Sequence, residues 1–413
     1  MKKSATLLVI GGGAGGYFCA INAASNNPHL QVILLEKSAQ LLSKVRISGG
    51  GRCNVTHACF DPAELVKFYP RGARELRQLF ARFSTGDTVA WFEDRGVKLK
   101  TEVDGRMFPV TDSSQTIIDC LLREAQKFGV ELRLQHDVVA MAVQAKGWQL
   151  DLRKGEAIKT KKVLLATGGH PKLSGYDWLA EFGLKIVPPV PSLFTFNLPT
   201  DPIRELMGVS VPQARIRLPE LKKEQSGPLL VTHWGLSGPA IIKLSALVAR
   251  ELQACNYHFR VLVCWLPNED ADSLRALFED YRQYAGAAQI ANRFEVELPS
   301  RLKLHLLQKA GIKPEQRWSE VNNKQINRLI ELLLNHEFSA AGKTTFKEEF
   351  VTSGGVARDQ IDFRTMECKS LPGLYIAGEL LDIDALTGGF NFQAAWSAGF
   401  VVAQAMVVQP AAS

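Results

Sequence analysis

The amino-acid sequence predicts an α/β fold in which one sheet-containing domain is interrupted by an inserted domain. Three observations carry this prediction. Residues 5–37 read as strand, glycine turn, helix and strand, residues 164–169 and 373–379 read as further short strands that end in glycines, and residues 191–336 differ in character. Strands alternating with helices are typical of a mostly parallel sheet covered by helices.

The N-terminal segment has the pattern of a nucleotide-binding strand–turn–helix unit. ATLLVI (5–10) ends directly in GGGAGG (11–16), and a helix-forming stretch leads to a second apolar run, QVILLEK (31–37). The apolar run is too short for a signal peptide or a membrane span, because glycines interrupt it. The context therefore predicts a Rossmann-type unit.

The glycines of this turn have the dinucleotide spacing G-x-G-x-x-G. Gly11 permits the tight turn, Gly13 lets a pyrophosphate approach the helix N-terminus, and Gly16 lets helix and strand pack closely. Glu36 follows by about 20 residues, where a carboxylate accepts from ribose hydroxyls. Because a carboxylate repels a 2′-phosphate, we predict NAD or FAD at this site rather than NADP.

A second glycine cluster, SGGGRCN (48–54), favours FAD. An NAD-binding domain would begin its next helix here, whereas flavoproteins send an extended loop back under the cofactor. The backbone amides of the three glycines would donate hydrogen bonds, and Lys44 and Arg52 would supply positive charge.

Several long segments resemble one family. KVRISGGGRCNVT (44–56), THWGLSGPAI (232–241), VTSGGV (351–356) and the segment 373–399 are similar to BaiN/YhiN-type flavoproteins, the aminoacetone oxidase family of FAD-binding enzymes. The resemblance implies a glutathione-reductase-like FAD-binding domain with an inserted β-barrel and helical domain. His170 and Phe390 depart from the family pattern.

The C-terminal block agrees with this prediction. A carboxylate at the end of the strand GLYIAGE, followed by Asp382, can accept hydrogen bonds from a ribityl chain. Gly388 and Gly389 would place a positive helix end near the pyrimidine edge of the flavin. Val138 is expected to contact the adenine through its backbone, as the resemblance implies. The predicted cofactor-binding residues are Gly11, Gly13, Ala14, Gly16, Glu36, Lys37, Lys44, Ser48, Gly49, Gly50, Gly51, Arg52, Asn54, Val138, Thr167, Gly168, Gly378, Glu379, Asp382, Gly388, Gly389 and Asn391.

The predicted domain boundaries follow changes in composition. The FAD-binding domain comprises 1–190 and 337–413, and the insert comprises 191–336. A proline-rich segment, VPPVPS (187–192), marks the crossing into the insert. Strands are expected first, then helices over most of 268–336.

Two residues of the insert are candidates for substrate chemistry. His233 can transfer a proton near neutral pH, and Ser237 lies beside it in THWGLSGPA. Both also have structural interpretations, since Ser237 could be the N-cap of a following helix. His170 is a weaker candidate for the same reason.

Composition limits the other classes of function. The net charge of +7 is modest for 413 residues and is not clustered, so a nucleic-acid partner is not expected. The stretch 70–83 reads as a helix with a solvated arginine face.

Seven scattered cysteines without metal-ligand spacing indicate reduced thiols and a cytoplasmic location, with neither a metal nor a membrane. The pair Cys53 and Cys59 does not have the spacing of a flavin-linked disulfide.

These observations predict an FAD-dependent oxidoreductase that transfers hydride between flavin N5 and a small or polycyclic organic substrate. Reduction of an activated C=C bond is the leading hypothesis. An amine-type oxidase that produces hydrogen peroxide and a flavin-bearing RNA-modifying or RNA-binding protein are the alternatives. Because the sequence has no second glycine fingerprint, NAD(P)H would serve only as a transient electron donor. No feature of the sequence indicates an oligomeric state.

Overall fold

The structure is a computed structural model that describes residues 5–155, 157–345 and 351–406. The chain forms two compact units, Met1–Ser192 with Lys347–Ser413 and Leu193–Phe346. The strands are β1 Ala5–Ile10, β2 Leu30–Glu36, β3 Thr56–His57, β4 Leu99–Thr101, β5 Arg106–Pro109, β6 Glu131–Leu134, β7 Val138–Gln144, β8 Gly147–Leu152, β9 Ile158–Thr160, β10 Lys162–Leu165, β11 Ile186–Pro191, β12 Thr195–Asn197, β13 Ser210–Leu218, β14 Lys223–Val231, β15 Gly235–Ser237, β16 His258–Cys264, β17 His336–Ala341, β18 Lys343–Thr344, β19 Thr352–Val356, β20 Ile361–Asp362, β21 Glu367–Cys368 and β22 Leu374–Ile376. The helices are α1 Ala14–Asn26, α2 Ser43–Gly51, α3 Pro62–Leu65, α4 Ala73–Phe80, α5 Thr85–Glu93, α6 Ser114–Lys127, α7 Asp177–Ala180, α8 Pro239–Leu247, α9 Ala249–Ala254, α10 Ala271–Tyr284, α11 Ser300–Lys309, α12 Asn323–Leu334 and α13 Phe390–Ala405.

The first unit is built on a seven-stranded sheet of order β20-β21-β22-β10-β1-β2-β6. The five strands from β22 to β6 are parallel. The residues of β22, β10, β1 and β2 are mostly apolar and buried, as expected for strands with both faces covered, whereas those of the edge strand β6 are partly or fully exposed. This sheet confirms the predicted α/β class and the order strand, turn, helix, strand at the N-terminus.

Helix α1 lies between this sheet and the C-terminal helix α13. The two helices approach closely at small residues, since a Cβ atom on Gly399 would lie 2.6 Å from the Gly15 carbonyl oxygen. Every residue of α1 from Ala14 to Ala24 is buried. The N-terminal helix and the last helix of the described chain therefore share one core.

A two-stranded ribbon in the first unit includes the proline-rich segment. β11 pairs antiparallel with β19, with a register shift between Val187 and Val190. The sequence predicted that these prolines mark only the crossing into the insert. Because β11 pairs with a strand on one side only, the missing proline N–H groups can face away from the ladder, and the segment forms a strand.

The arginine-rich stretch 70–83 contains the helix α4, Ala73–Phe80, as predicted. Leu76, Leu79 and Phe80 are buried on one side of this helix. The pattern of an apolar stripe opposite charged residues thus corresponds to an ordinary packed helix.

The second unit contains an antiparallel sheet of order β17-β16-β13-β14-β15-β12-β18. The helices α10, α11 and α12 lie between β16 and β17 in the sequence. The predicted strands and helices of this region are present. The sequence predicted the strands of a small barrel or sheet, and the described strands form one antiparallel sheet whose first and last strands, β17 and β18, are separated in the chain by Gly342 alone. β17 belongs to this unit because it pairs with β16, so the unit continues past the predicted boundary at 336.

That these two units are a cofactor-binding domain and an inserted domain stays a prediction. Within the described ranges, no helix combines the length and hydropathy needed to cross a membrane.

Candidate functional site

The carboxyl ends of three adjacent parallel strands bring the predicted glycine segments together. The Ala166 N–H donates to the Ile10 carbonyl (2.8 Å), and the Ala377 N–H donates to the Leu165 carbonyl (3.0 Å). The turns after β1, β10 and β22 therefore lie side by side at one edge of the sheet. In open α/β sheets, ligands bind at this edge, where the strand order reverses direction.

Two glycines of the first glycine turn lie close to other backbone atoms, and a third faces open space. Gly11 has φ +111°, and a Cβ atom there would lie 2.3 Å from the Ala166 oxygen. A Cβ atom on Gly16 would lie 2.1 Å from the Gly11 oxygen, whereas one on Gly13 would have nothing within 4 Å. Gly11 and Gly16 are therefore required by packing, and Gly13 leaves room in front of α1.

The N-terminus of α1 is open to an anion. Its N-cap, Gly13, provides no side-chain cap, and the first turn beginning at Ala14 contains no acidic residue. The first N–H groups of a helix carry partial positive charge and bind phosphate groups. The geometry of this turn fits a pyrophosphate.

Glu36 lies at the end of β2, beside the glycine turn. Its carboxylate accepts from the N–H groups of Gly12 and Ser38, both at 2.8 Å. Lys37 is exposed immediately after it. The His136 N–H donates to the Glu36 carbonyl (3.0 Å), so the chain passes this strand end just before Val138 begins β7.

The SGGGRCN segment follows the helical turns of α2, which the sequence did not predict. The segment itself leaves the helix, since Ser48, Gly49 and Gly50 have non-helical backbone angles, and its glycines turn through left-handed angles rather than running extended. The Ser48 hydroxyl donates to the Val45 carbonyl (3.1 Å), which holds the helical turn before the interruption. The three glycines all have positive φ, and Gly50 and Gly51 have open space around them.

The two basic residues flanking this segment are paired with carboxylates. Lys44 donates to Glu379, which follows β22. Arg52 pairs with Glu102 (2.6 Å), and its guanidinium lies 4.0 Å from the centre of the Phe108 ring. The charge of Arg52 is therefore directed at the β4–β5 hairpin.

The N-terminus of α13 is a second open helix end. Gly388 and Gly389 both have positive φ, and α13 has neither a side-chain cap nor an acidic residue in its first turn. The Asn54 amide oxygen accepts from the Gly389 N–H (2.9 Å). The Asn391 amide oxygen accepts from the Ala385 N–H (3.1 Å), so both asparagines position backbone around this helix end.

The segments after β10 and β22 provide a polar lining with free space. Gly168 and Gly378 have positive φ and nothing within 4 Å of an added Cβ atom, and Thr167 is exposed. The Glu379 carboxylate accepts from the Thr352 N–H (2.8 Å) as well as from Lys44. Together with the two open helix ends, this edge fits an extended dinucleotide with a pyrophosphate at α1.

A buried ion pair that sequence reasoning missed holds the loop before α13. Asp384 is completely buried and pairs with Arg71, and the Ser192 hydroxyl also donates to it. Asp382, a predicted cofactor residue, lies 3.4 Å from the Arg358 guanidinium. Because Arg71 and Asp384 are 313 positions apart, no local pattern could have revealed the pair.

The cysteines form no redox pair or metal site in the part of the chain that the structure describes. Burial raises the pKa of the Cys53 thiol to about 12, and burial is also the main cause of the raised pKa of Cys59. Since the thiolate is the reactive form, Cys53 is expected to be inert.

Alkylation of the native protein at about pH 8 should therefore modify the exposed Cys255 well before the buried Cys53. Peptide mapping by mass spectrometry after timed iodoacetamide treatment measures the order. Rapid modification of Cys53 in the folded protein would contradict its inert role.

The two predicted catalytic residues lie in the second unit. His233 is exposed after β14, its carbonyl accepts from Arg204 Nε (2.7 Å), and its ring lies 4.0 Å from that of Trp234. Ser237 is buried in β15, and Gly238, not Ser237, is the N-cap of α8. The N-cap interpretation of Ser237 is therefore wrong, and the catalytic roles stay predictions.

His170 is held in the loop after β10. It is exposed, its Nδ1 is 2.9 Å from the Lys172 carbonyl oxygen, and its backbone N–H donates to the Tyr176 hydroxyl (2.7 Å). These contacts account for its position, and a catalytic role also stays a prediction.

Comparison with known proteins places this fold and site in a family. The family model described as HI0933-like protein Rossmann domain matches residues 5–405. A protein of Escherichia coli named ribosomal RNA dihydrouridine synthase is 31% identical over 411 residues, which cover 97% of each chain. A 3-dehydro-bile acid delta(4,6)-reductase of Clostridium scindens is 27% identical and covers 97% of this chain and 99% of its own.

The fold likeness extends to a solved structure. The 3-ketosteroid delta1-dehydrogenase of Sterolibacterium denitrificans superposes with a TM-score of 0.51 at 11% identity, covering 98% of this chain and 99% of the other. At this identity the likeness concerns the fold alone. The full-length family match, together with the open dinucleotide edge, gives the assignment: this chain belongs to the HI0933-like protein Rossmann domain family and is an FAD-dependent oxidoreductase.

Proposed function

We propose that this enzyme reduces a C=C bond conjugated to a carbonyl group, and that its substrate is a uracil base of ribosomal RNA. The observation that carries the proposal is the shared chemistry of two full-length relatives. One is named for making dihydrouridine in ribosomal RNA, and the other is named for reducing a dehydro bile acid. Dihydrouridine is uridine saturated at the C=C bond next to a ring carbonyl, so the two names describe one reaction class.

The choice of RNA over a small enone rests on similarity. The ribosomal RNA dihydrouridine synthase is 31% identical, and the bile acid reductase is 27% identical, with the same coverage of this chain. The sequence alone disfavoured a nucleic acid, because the basic residues are not clustered. A flipped single base requires only a pocket and a few backbone contacts, which an unclustered positive surface can supply.

The residues of this chain would have separate tasks. The carboxyl edge of the first sheet would hold the cofactor, with the pyrophosphate at α1 and the pyrimidine edge of the flavin at α13. Bound FAD supplies a hydride from N5 after reduction by a nicotinamide donor. Saturation of the C=C bond also requires a proton, for which His233 is the proposed donor.

The test is direct. Purified holoprotein is incubated with ribosomal RNA lacking the modification and with NADH or NADPH, and the RNA is digested to nucleosides for mass spectrometry. Dihydrouridine should appear only when protein and reductant are both present. A His233→Gln variant should still bind FAD but form the product more slowly.

Other outcomes identify the alternatives. Saturation of steroid or bile acid enones without any dihydrouridine would favour a small-molecule reductase. Substrate-dependent release of hydrogen peroxide from amines, without bleaching by NAD(P)H, would favour the oxidase. Either result would overturn the RNA proposal.

A further inference from the structure

Helix α4 presents an exposed side that carries positive charge and no negative charge. The exposed residues of α4 and of the turn that follows it are Arg74, Arg77, Gln78, Ala81 and Arg82. This spacing places them on one side of the helix, opposite its buried apolar side. We call the three arginines of this side the arginine stripe.

None of the three arginines forms an ion pair with a carboxylate in the part of the chain that the structure describes. The ion pairs around α4 use other arginines, since Arg358 pairs with Glu75 of α4 and Arg364 pairs with Asp362. Arg82 donates to the backbone carbonyl of Arg364, which carries no net charge. The described protein therefore leaves the charge of the arginine stripe without a countercharge.

The arginine stripe does not stabilise the helix that carries it. Arg74 lies in the first turn of α4, where the helix dipole repels a cation. Arg77 lies three residues further along the same side, and like charges at this spacing repel each other. An anionic partner would relieve both repulsions.

The arginine stripe begins beside the candidate cofactor site. The N-cap of α4, Gly72, packs against the loop before α13, because an added Cβ atom would lie 2.7 Å from Ile383 Cγ1. The Leu386 N–H of the same loop donates to the Phe68 carbonyl (2.9 Å). This loop leads to Gly388 at the open end of α13. From there the stripe extends for about 12 Å, at a rise of about 1.5 Å per residue.

The chemistry of the arginine stripe fits the phosphates of RNA. A guanidinium is always charged, and its planar fork of N–H donors matches a phosphate group. An RNA strand carries one phosphate per nucleotide, so a single strand can contact several arginines of one helix side. A protein partner would pack against apolar residues, and the exposed side of α4 has no large apolar residue.

We propose that the arginine stripe binds the phosphate backbone of an RNA whose target base enters the candidate site. The choice of RNA rests on the proposed function, whereas the position of the surface rests on the charges and contacts of α4. The sequence predicted only a solvated arginine face here, because the absence of carboxylates around the arginines depends on the tertiary structure.

The experiment replaces Arg74, Arg77 and Arg82 with glutamine in one protein. Glutamine is uncharged and is a good helix former. Filter retention measures the binding of each holoprotein to ribosomal RNA lacking the modification at several salt concentrations. The variant should bind about 10-fold or more weakly at low salt, and the slope of log affinity against log salt should fall by about 2, as for three lost phosphate contacts.

A charge-matched variant separates this effect from the change in net charge. Arg123→Gln, Arg260→Gln and Arg275→Gln, combined in one protein, remove three exposed arginines that are paired with carboxylates. This control should bind RNA within twofold of the unchanged chain. The stripe variant should retain its FAD, and its melting temperature should be equal or higher because like-charge repulsion is removed.

Unchanged RNA affinity and salt slope in the stripe variant would overturn the proposal, as would an equal loss in the charge-matched variant. Binding of poly-L-glutamate as tight as that of RNA would indicate an acidic protein partner and would also overturn it. The dihydrouridine assay separates the two proposals. If the stripe variant binds RNA normally while the unchanged chain makes dihydrouridine, only the stripe proposal fails. If RNA binding depends on the stripe but no dihydrouridine forms, only the proposed reaction fails.

Discussion

Replacing Gly13 with alanine is expected to weaken FAD binding by about 100-fold or more while the apoprotein stays folded. The added Cβ atom would have no protein atom within 4 Å, so the fold has no steric reason to change. The same atom would project into the space in front of α1, where the pyrophosphate must approach the helix N–H groups. Loss of two charge-assisted hydrogen bonds accounts for an effect of this size.

Matched variants distinguish this effect from general damage. Gly86→Ala in α5 places its Cβ atom 4.0 Å from Phe60 and should leave FAD affinity unchanged, since helical alanine is tolerated. Gly16→Ala should lower the stability of the apoprotein itself, because its Cβ atom would collide with the Gly11 oxygen. Fluorescence titration with FAD and thermal unfolding of each apoprotein measure both quantities. Normal FAD binding by Gly13→Ala would show that the pyrophosphate does not bind at the N-terminus of α1.

Replacing Asp384 with alanine is expected to destabilise the first unit by about 3–5 kcal/mol. The Arg71 side chain is only 11% exposed, and removal of its carboxylate partner would leave a buried guanidinium without its countercharge. The loop that leads into α13 would lose the contact that joins it to the start of α4 and to Ser192. Weaker FAD binding should accompany the loss of stability, since the same loop carries Gly388 and Gly389.

The control for this prediction is an exposed ion pair. Glu64→Ala removes a partner of Lys67 at 2.7 Å on the surface and should change the free energy of unfolding by at most about 1 kcal/mol. Urea unfolding of the apoproteins measures the difference. The double variant Asp384→Leu with Arg71→Met should recover part of the stability, because two apolar side chains leave no buried charge. A cost for Asp384→Ala no larger than that for Glu64→Ala would show that the pair does not hold the loop.

The parts of the fold that follow local rules were predicted from the sequence. The turn from Gly11 to Gly16 and the position of Glu36 depend on spacing within one strand–helix–strand unit, which is visible in 30 or so residues. The helices α10, α11 and α12 have the apolar period of packed helices. In each of these cases, local pattern and tertiary structure agree.

The errors have identifiable physical causes. The segment 48–54 was expected to be an extended loop because of its three glycines, but helical turns precede it, and Gly49 and Gly50 turn the chain through left-handed angles instead. β11 contains prolines that normally exclude a strand, yet a two-stranded ribbon leaves their missing N–H groups without consequence. Tertiary context decides both cases, and a single sequence does not contain that context.

The residues of the candidate site also divide into those predicted from local sequence and those that depend on tertiary context. Glycine positions were selected because glycine has a distinct backbone range, whereas Asp384 and Arg71 matter only through each other, 313 positions apart in the chain. The expected positive charge of Arg52 is instead bound to Glu102. Composition can indicate that a basic residue is near a site, but not which carboxylate it will form an ion pair with.

The connectivity of the first unit has a consequence for how the protein forms during synthesis on the ribosome. β10 pairs with β22, and α1 packs against α13, so the first sheet and its core require segments that are translated last. The second unit is contiguous, from Leu193 to Phe346, and all its strands have emerged well before α13. The middle of the chain can therefore fold first, while the N-terminal strands wait for their partners. A chain truncated before α13 should expose the apolar face of α1 and depend on chaperones to stay in solution.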